Sequence, residues 1–371
     1  MRRPLTVVQL LPALSSGGVE RSTIEISAAL VAAGHRAIVV SAGGRLESAL
    51  RATGAEHVTL DIGAKRPWVL RHVPALRRLF ETADIVHARS RVPAWLGWLA
   101  LRRMPAARRP HFVTTMHGLN SPSRYSAIMA RGERVICVSN TVRDYLLRHY
   151  PRTDPTRLRV IPRGIDTAQF PPAPWPDRAA RATVAAQHPA LGGDGPLLLL
   201  PGRGTRLKGH GDALALLAAL RADGTDARLW MPGAREAGRE AYIATLEREA
   251  EGLGCARALA ITAPTAAIAQ AYAASDLVLQ LSRKPEAFGR TVVEALASAR
   301  PVLGWAHGGV GELLTELQPE GAVAPFDPHA LAQSARALLA RPPVRAGTMP
   351  YTLRAMQDAT LAVYDEFDDD N

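Results

Sequence analysis

Two glutamates eight residues apart frame the segment of this chain that is best suited to chemistry. Glu286 and Glu294 flank Gly289, and the apolar residues after Gly289 recur with helical spacing. We therefore expect a loop that holds Glu286, a helix that begins near Gly289, and Glu294 about a turn inside that helix. The free backbone N–H groups of its first turn favour an anionic ligand such as a diphosphate. Since carboxylates accept hydrogen bonds from sugar hydroxyls, the expected ligand is a nucleotide-sugar.

The same spacing also has a simpler interpretation. Glu286 would then be a solvated residue ahead of a helix, and Glu294 would be a charge on the polar face of that helix. Spacing alone does not separate the two interpretations. The choice between them therefore depends on other loops that carry chemically capable residues.

A basic loop in the second half of the chain is one of these. Arg203 and Lys208 follow an apolar run that ends at Leu200. The two cations could converge on one diphosphate, with Arg203 binding as a fork and Lys208 as a point charge. The spacing of glycine, lysine and hydroxyl residues does not match a P-loop, which argues against a nucleotide triphosphatase. The alternative is a basic loop on the surface.

The first half of the chain contributes a glycine loop and a histidine. Gly17 and Gly18 follow the first predicted strand and open a helix, so the backbone there can approach a ligand closely. This loop does not match a dinucleotide fingerprint. His117 ends another predicted strand and could hydrogen-bond a sugar hydroxyl, although a lone histidine is more often structural. His87 is a similar candidate.

Strands and helices must position these loops, and the apolar pattern predicts them. Short apolar runs alternate with amphipathic stretches in both halves, which is typical of parallel, doubly wound α/β sheets. Ligands of such sheets bind outside the carboxyl ends of the strands, so we expect the site in the cleft between two domains. The predicted strands are residues 5–10, 37–41, 84–87, 112–115, 135–138, 197–200, 227–231, 258–261, 277–281 and 301–303.

The length of 371 residues also suggests two domains. We place the N-terminal domain at residues 1–165 and the C-terminal domain at 166–349, with residues 350–371 packing back on the first domain. Val160-Ile161-Pro162 is expected to begin the crossover. A stretch rich in proline and alanine follows it, from Pro171 to Pro196.

The cysteines and the acidic tail argue against two other classes of site. Cys137 and Cys255 are the only cysteines and are far apart in sequence, which favours a reducing cytoplasm over a disulfide framework. No spacing indicates a zinc site. We interpret the acidic tail, residues 368–371, as solvated and predict no catalytic metal and no cofactor.

The charge is distributed unevenly along the chain. Residues 1–165 contain 26 Lys and Arg against 10 Asp and Glu, a net charge of +16, whereas the remaining 19 basic and 24 acidic residues give −5. A basic face attracts membrane lipid or nucleic acid. Aromatic residues are only 5% of the chain and no stacking motif interleaves the basic clusters, so an anionic membrane surface is preferred and no nucleic acid is expected. The alternative is that the arginines reflect an arginine-rich genome and simply lie on a solvated surface.

Taken together, the ordered motifs resemble glycosyltransferase family 4, which has the GT-B fold of two facing Rossmann-like domains. The resemblance covers most of the chain. Arg163 departs from it, because that position is commonly asparagine, and Ala263 stands where a glycine often lies near the nucleobase. The matching motifs are Gly17–Arg21, Asp84–His87, His117–Gly118, Val160–Asp166, Gly202–Arg203, Lys208–Gly209, Glu286–Glu294 and Gly308–Glu312.

The resemblance implies a metal-independent transferase that retains anomeric configuration. Glu286 would hold donor-sugar hydroxyls and Glu294 the nucleotide ribose, while Arg203 and Lys208 would stabilise the leaving diphosphate. His117 would orient the transferred sugar. The backbone groups implied to close around the donor are those of Gly17, Gly18, Phe288, Gly289, Arg290 and Thr291.

The resemblance also implies an acceptor bound mainly by the N-terminal domain, which is the strongly basic half. A lipid-linked or glycan acceptor of the lipopolysaccharide-core type, at the inner face of the cytoplasmic membrane, fits that charge. Two alternatives stay open. A GT-B-fold nucleotide-sugar epimerase would use the donor alone and need further carboxylates to move protons. A basic, non-enzymatic membrane- or nucleic-acid-binding protein would need neither Glu286 nor Glu294.

Overall fold

The computed structural model describes residues 3–15, 17–343 and 348–367. These residues divide into two units: one runs up to Arg163 and resumes at Leu353, and the other runs from Gly164 to Thr352. The acidic tail predicted to be solvated, residues 368–371, lies outside the described residues. Within the described ranges, no helix has the length and apolar content that crossing a membrane requires.

The first unit is built on a seven-stranded parallel sheet. Its strands are β1 Thr6–Leu10, β2 Arg36–Ser41, β3 Glu56–Thr59, β4 Ile85–Ala88, β5 His111–Met116, β6 Arg134–Cys137 and β7 Leu158–Val160. Its helices are α1 Gly18–Ala32, α2 Glu47–Ala52, α3 Val73–Phe80, α4 Arg91–Leu101 and α5 Asn140–His149. The strand order is β3-β2-β1-β4-β5-β6-β7, so the direction of strand addition reverses between β1 and β4.

The second unit repeats this plan with a six-stranded parallel sheet. Its strands are β8 Leu197–Leu199, β9 Arg228–Pro232, β10 Leu259–Thr262, β11 Leu277–Gln280, β12 Val302–Trp305 and β13 Ala322–Val323. Its helices are α6 Arg178–Gln187, α7 His210–Ala222, α8 Glu240–Gly252, α9 Ile268–Ala274, α10 Arg290–Ala297, α11 Gly308–Leu317 and α12 Pro328–Ala340. The order β10-β9-β8-β11-β12-β13 places the reversal between β8 and β11.

Helices on both faces explain why the strands are apolar without alternation. In β1, Val7 belongs to one buried cluster and Val8 and Leu10 to another on the opposite face of the sheet. All three side chains are fully buried. The prediction of two doubly wound, Rossmann-like domains is confirmed.

A last helix, α13 Leu353–Asp365, returns to the first unit. Its buried Tyr364 lies 2.6 Å from His87 Nδ1. Glu366, just after the helix, accepts hydrogen bonds from Arg134 and Arg159 of β6 and β7. Side-chain hydrogen bonds therefore attach the end of the chain to the first sheet.

Two elements in the middle of the chain were not predicted from the sequence. Residues 158–160 form the edge strand β7, which is short and only partly buried, and the chain passes into the second unit after Arg163. The stretch from Pro171 to Pro196 contains α6, whose N-terminus is capped by Asp177 accepting from the backbone N–H of Ala180. Asp177 was the available signal for that helix.

Candidate active site

The strongest candidate site lies where the second sheet reverses its direction of strand addition. β8 and β11 are hydrogen-bonded neighbours, so the loops after them emerge side by side at the carboxyl edge of the sheet. Such a reversal is where doubly wound sheets bind ligands. The loop after β8 carries Lys208, and the loop after β11 carries Glu286.

A glycine lets these two loops approach each other. Gly209 follows the short 3-10 helix Arg206–Lys208 with φ of 75°, a conformation that favours glycine. A Cβ at Gly209 would lie 2.0 Å from the carbonyl oxygen of Leu281, so any side chain there would displace the backbone. The backbone N–H of Arg283 also donates to Leu207 O, at 2.8 Å. This contact sets Lys208 beside Glu286.

Lys208 and Glu286 form an ion pair in the structure. The distance from Lys208 Nζ to Glu286 Oε1 is 2.6 Å, and the two side chains are 29% and 25% exposed. The Ser282 hydroxyl donates to the same oxygen. The predicted diphosphate ligand of Lys208 and the predicted sugar ligand of Glu286 would therefore approach adjacent groups.

The start of α11 supports the backbone around Glu286. Gly309 N donates to Glu286 O at 2.8 Å. A Cβ at Gly309 would lie 2.5 Å from Phe288 Cα, and one at Gly308 would lie 2.7 Å from Glu286 O. Gly308 and Gly309 open α11, and their small size lets that helix pack directly on the Glu286 loop.

Helix α10 begins at Arg290, as predicted from the sequence. Gly289 precedes it with φ of 128° and has no side chain to cap the helix. Phe288 is buried, with its ring edge-on to Tyr351 at 5.7 Å. Thr291 is half-buried in the first turn of the helix. The structure thus brings Phe288, Gly289, Arg290 and Thr291 together at the amino end of α10.

Glu294 is buried, at 8% exposure, so its interpretation as a charge on a polar helix face is wrong. Tyr272 donates its hydroxyl to Glu294 Oε2 at 2.9 Å, and Arg290 Nε donates to Oε1 at 3.0 Å. Burial, followed by the charge of Glu294, raises the pKa of Tyr272 well above its ordinary value, so the phenol stays protonated and donates. The carboxylate is held in a fixed orientation, and each of its oxygens can accept more than one hydrogen bond.

Arg203 has fewer contacts than the other predicted site residues. Its side chain is exposed, and among the described residues the structure shows no hydrogen bond or ion pair for its guanidinium. Its neighbour Gly202 lies along the Lys208 side chain, where a Cβ would be 3.7 Å from Lys208 Cδ. Arg203 is therefore close to Lys208 in sequence, but no residue that the structure describes holds its guanidinium in one position.

In the first unit, His117 follows β5, and the contacts of its two ring nitrogens differ. Arg163 Nη2 lies 2.5 Å from His117 Nδ1. A guanidinium can only donate, so Nδ1 accepts and the proton of the neutral ring is on Nε2. That Nε2 is buried and has no hydrogen-bond partner among the described residues. Burial, followed by the charges of Arg163 and Arg89, lowers the pKa of His117 well below its ordinary value. The ring is therefore a neutral hydrogen-bond donor.

His87, the similar candidate, has a structural role instead. It is fully buried, and its ring nitrogens contact Tyr364 Oη and Thr115 Oγ1, both at 2.6 Å. Burial, followed by the charge of Arg89, lowers its pKa well below the ordinary value. Both nitrogens are occupied, so His87 connects α13 to the sheet and offers nothing to a ligand.

Gly17 and Gly18 stand between β1 and α1, as the sequence predicts. Gly17 has φ of 136°, and α1 begins at Gly18. Both residues are exposed, and a Cβ added at Gly18 would meet no atom within 4 Å. The space beside the backbone there is open to a ligand.

Three contributors were not singled out as site residues from the sequence. Ser282 lies four residues before Glu286, and this proximity was a usable signal. Tyr272 is 22 residues before Glu294 and gives no local signal. Arg163 was visible only as a departure from the family pattern. Among the described residues, no group of three His, Cys, Asp or Glu is placed to hold a metal ion.

Comparison with known proteins agrees with this fold. A family model described as Glycosyltransferase Family 4 matches residues 16–169, and one described as Glycosyl transferases group 1 matches residues 185–351. A D-inositol 3-phosphate glycosyltransferase of Xylanimonas cellulosilytica is 30% identical over 69% of this chain; the match spans 64% of that relative's length.

Solved structures show the same architecture over nearly all of the chain. A glycosyltransferase of Rickettsia africae superposes with a TM-score of 0.82 at 27% identity, covering 98% of both chains. Anabaena Alr3699/HepE, solved in complex with UDP and glucose, superposes with a TM-score of 0.77 at 20% identity, covering 98% of this chain and 95% of that one. The fold and the two matching family models thus place the chain in the glycosyltransferase class. The chain belongs to glycosyltransferase family 4.

Proposed function

We propose that this protein transfers a sugar, with retention of configuration, from a nucleotide-sugar to a cell-envelope glycan or glycolipid. The observation that carries the proposal is the Lys208–Glu286 pair at the β8–β11 reversal, with the buried Glu294 on the helix that follows. Burying a carboxylate costs free energy, and Glu294 is held by Tyr272 in an orientation that is useful for binding hydroxyls.

The donor would be bound by the second unit. Its diphosphate would draw Lys208 away from Glu286 and recruit the exposed Arg203, and both cations would stabilise the charge that develops on the leaving group. The freed Glu286 would accept hydrogen bonds from the donor sugar, and Glu294 would accept them from the ribose. With two cations in this role, the proposed reaction needs no metal ion.

The first unit would contribute His117 and the glycine loop. His117 Nε2, a neutral donor without a protein partner among the described residues, suits a sugar oxygen near the transferred group. The open backbone at Gly18 suits close approach by the ligand. The acceptor would be bound by this unit.

Charge supports an acceptor of the lipopolysaccharide-core type at the inner face of the cytoplasmic membrane. Residues 1–165 carry +16, and a lipid-linked, phosphorylated glycan on an anionic leaflet complements that charge. The enzyme would then be cytoplasmic and peripheral to the membrane.

A second acceptor class is supported by the relatives. Several of them, at 26–30% identity, are D-inositol 3-phosphate glycosyltransferases, whose name describes transfer to a small phosphorylated polyol. The same basic half would suit a soluble, phosphorylated acceptor. The two candidates share the donor chemistry and differ only in the acceptor.

Transfer assays on the purified protein test the proposal. UDP-, GDP- and ADP-sugars are each incubated, with EDTA present, with no acceptor, with inositol phosphate, or with an extracted lipopolysaccharide core. A product that forms only with an acceptor and keeps the donor's anomeric configuration by NMR supports the proposal. Conversion of the nucleotide-sugar without an acceptor would instead show an epimerase, and a requirement for added metal would contradict metal independence.

A further inference from the structure

One part of the first unit is basic beyond its overall composition. Residues 62–132 contain 13 Lys and Arg but only Glu81 and Asp84 as acidic residues. Asp84 is paired with Arg3, at 2.8 Å, and also accepts from the backbone N–H of Thr6. Little negative charge is therefore left to balance this surface.

An exposed groove runs through this region. It lies between the 3-10 helix Pro67–His72, α3 and α4, and its volume is about 650 Å³. Its floor is apolar and includes Leu70, which is 51% exposed. Three arginines line it as well. The floor contains Leu70, Pro74 and Leu99, and the arginines are Arg77, Arg78 and Arg103.

Tryptophans with arginines stacked on them flank the groove. The Arg71 guanidinium lies 4.4 Å from the ring centre of Trp68, which is 39% exposed. Trp98 on α4 carries Arg102 at 4.7 Å and Arg131 at 4.9 Å. Tryptophan beside arginine is favoured at a lipid headgroup boundary, where the ring is half-immersed and the charge meets phosphate.

We infer that the surface formed by Pro67–His72, α3 and the end of α4 docks on an anionic phospholipid leaflet. Charge complementarity favours an anionic leaflet as the partner, because five exposed arginines would face its headgroup phosphates. These are the arginines 71, 77, 78, 102 and 103. The exposed Leu70 and Trp68 supply the apolar contact that a leaflet accepts. This combination locates the proposed membrane association on a defined face.

The test is co-sedimentation with vesicles, which requires no turnover. Vesicles of phosphatidylcholine with about 30% phosphatidylglycerol are compared with pure phosphatidylcholine at low and high salt. Each exposed arginine near an anionic leaflet adds roughly fivefold to the binding constant. The double substitution Arg77→Gln with Arg78→Gln should therefore weaken binding roughly 25-fold.

A matched control removes two exposed arginines from the second unit. Arg239→Gln with Arg248→Gln removes the same amount of charge as Arg77→Gln with Arg78→Gln. Arg239 lies just before α8, and Arg248 lies on the exposed face of that helix. The control should bind vesicles like the parent protein. Equal loss in the two double variants would show a non-specific charge effect and overturn the assignment, as would equal binding to neutral vesicles.

A second measurement covers the case in which the double variant misfolds. Lipids with brominated acyl chains quench tryptophan fluorescence at the bilayer surface, and Trp68→Phe should remove most of that quenching while vesicle binding persists. Unchanged quenching in Trp68→Phe would overturn the assignment. The assignment would also be overturned if the protein preferred single-stranded RNA to vesicles, and if arginine substitution abolished RNA binding but left vesicle binding intact.

Transfer to a soluble acceptor is measured on the same variants. It should stay unchanged in all of them, because none of these residues lies among the proposed donor or acceptor groups. Absence of transfer by the parent protein, with its vesicle binding intact, would count against the proposed reaction alone, so the two failures are distinguishable.

Discussion

At the residue scale, the Lys208–Glu286 pair is a resting contact between two groups that need other partners to act. Both side chains are a quarter or more exposed, so water screens the pair and its contribution to stability is small. A diphosphate carries more charge than one carboxylate and can replace Glu286 as the partner of Lys208. The pair therefore holds both side chains in place, and a ligand that separates them loses little free energy by doing so.

Removal of either member should stop catalysis without unfolding the protein. We expect Lys208→Ala and Glu286→Ala each to lower kcat about 10²–10³-fold, because each removes a group that stabilises the transition state. Arg206→Ala is the control, since Arg206 is an exposed cation of the same short helix whose guanidinium faces the Tyr242 ring. Normal turnover by either site variant, with a native circular-dichroism spectrum, would exclude the assignment.

Tyr272 should affect donor binding more than chemistry. Tyr272→Phe removes the hydroxyl that fixes Glu294 Oε2 and leaves the ring in place. A hydrogen bond to a charged group contributes about 1.5 kcal/mol, so KM for the donor should rise roughly tenfold with kcat nearly unchanged.

Tyr242→Phe is the matched control for Tyr272→Phe. The Tyr242 hydroxyl lies 3.3 Å from His210 Nδ1 and does not contact Glu294. If both phenylalanine variants bind the donor like the parent protein, Tyr272 does not position Glu294 for binding the ribose.

At the element scale, the contact between the loops after β8 and β11 forms the site. Gly209→Ala would place Cβ 2.0 Å from Leu281 O in a left-handed conformation. We expect a melting temperature several degrees lower and a loss of donor binding, because the Lys208 loop must move away.

Gly224→Ala separates backbone strain from the loop contact. Gly224 has φ of 86°, similar to that of Gly209, but a Cβ there would meet no atom within 4 Å. It should cost only the strain of the left-handed conformation, about 1 kcal/mol, and leave donor binding intact. Equal effects of the two variants on donor binding, measured by calorimetry, would show that the Gly209 contact does not position the site.

Most helices and strands could be predicted from the sequence, whereas several contacts could not. Buried runs such as residues 277–281 and the glycine before α10 give local signals, so the positions of Glu286 and Glu294 followed from spacing. The short edge strands β7 and β13 lack such signals because they are only three and two residues long, and only one residue of each is buried. The hydrogen bonds of Tyr272 to Glu294 and of Arg163 to His117 join residues distant in sequence, and only the tertiary fold brings them together.

At the scale of the whole molecule, buried neutral histidines should make stability depend on pH. The pKa values of His87 and His117 are well below the ordinary value, and burial lowers that of His210 to about 4. The unfolded chain binds these protons near pH 6.5 but the folded chain does not. Their contribution to stability is therefore complete above about pH 6.5 and is lost as the pH falls toward the folded pKa values.

Scanning calorimetry between pH 8 and pH 5 measures this dependence. The melting temperature should be nearly constant above pH 7 and fall below about pH 6.5. His87→Gln should make that fall shallower, because one group that binds a proton only in the unfolded chain is gone. A steeper fall in His87→Gln than in the parent protein would contradict the buried, neutral state of His87.

The measurement that tests the central claim most directly is a thermal-shift screen of UDP-, GDP- and ADP-sugars in the presence of EDTA. A ligand that binds only the folded protein raises its melting temperature by mass action. We predict that sugars of one nucleotide raise it, that Glu294→Ala abolishes the shift, and that Arg206→Ala retains it. No shift with any nucleotide-sugar, or a full shift in Glu294→Ala, would contradict a donor site built on Lys208, Glu286 and Glu294.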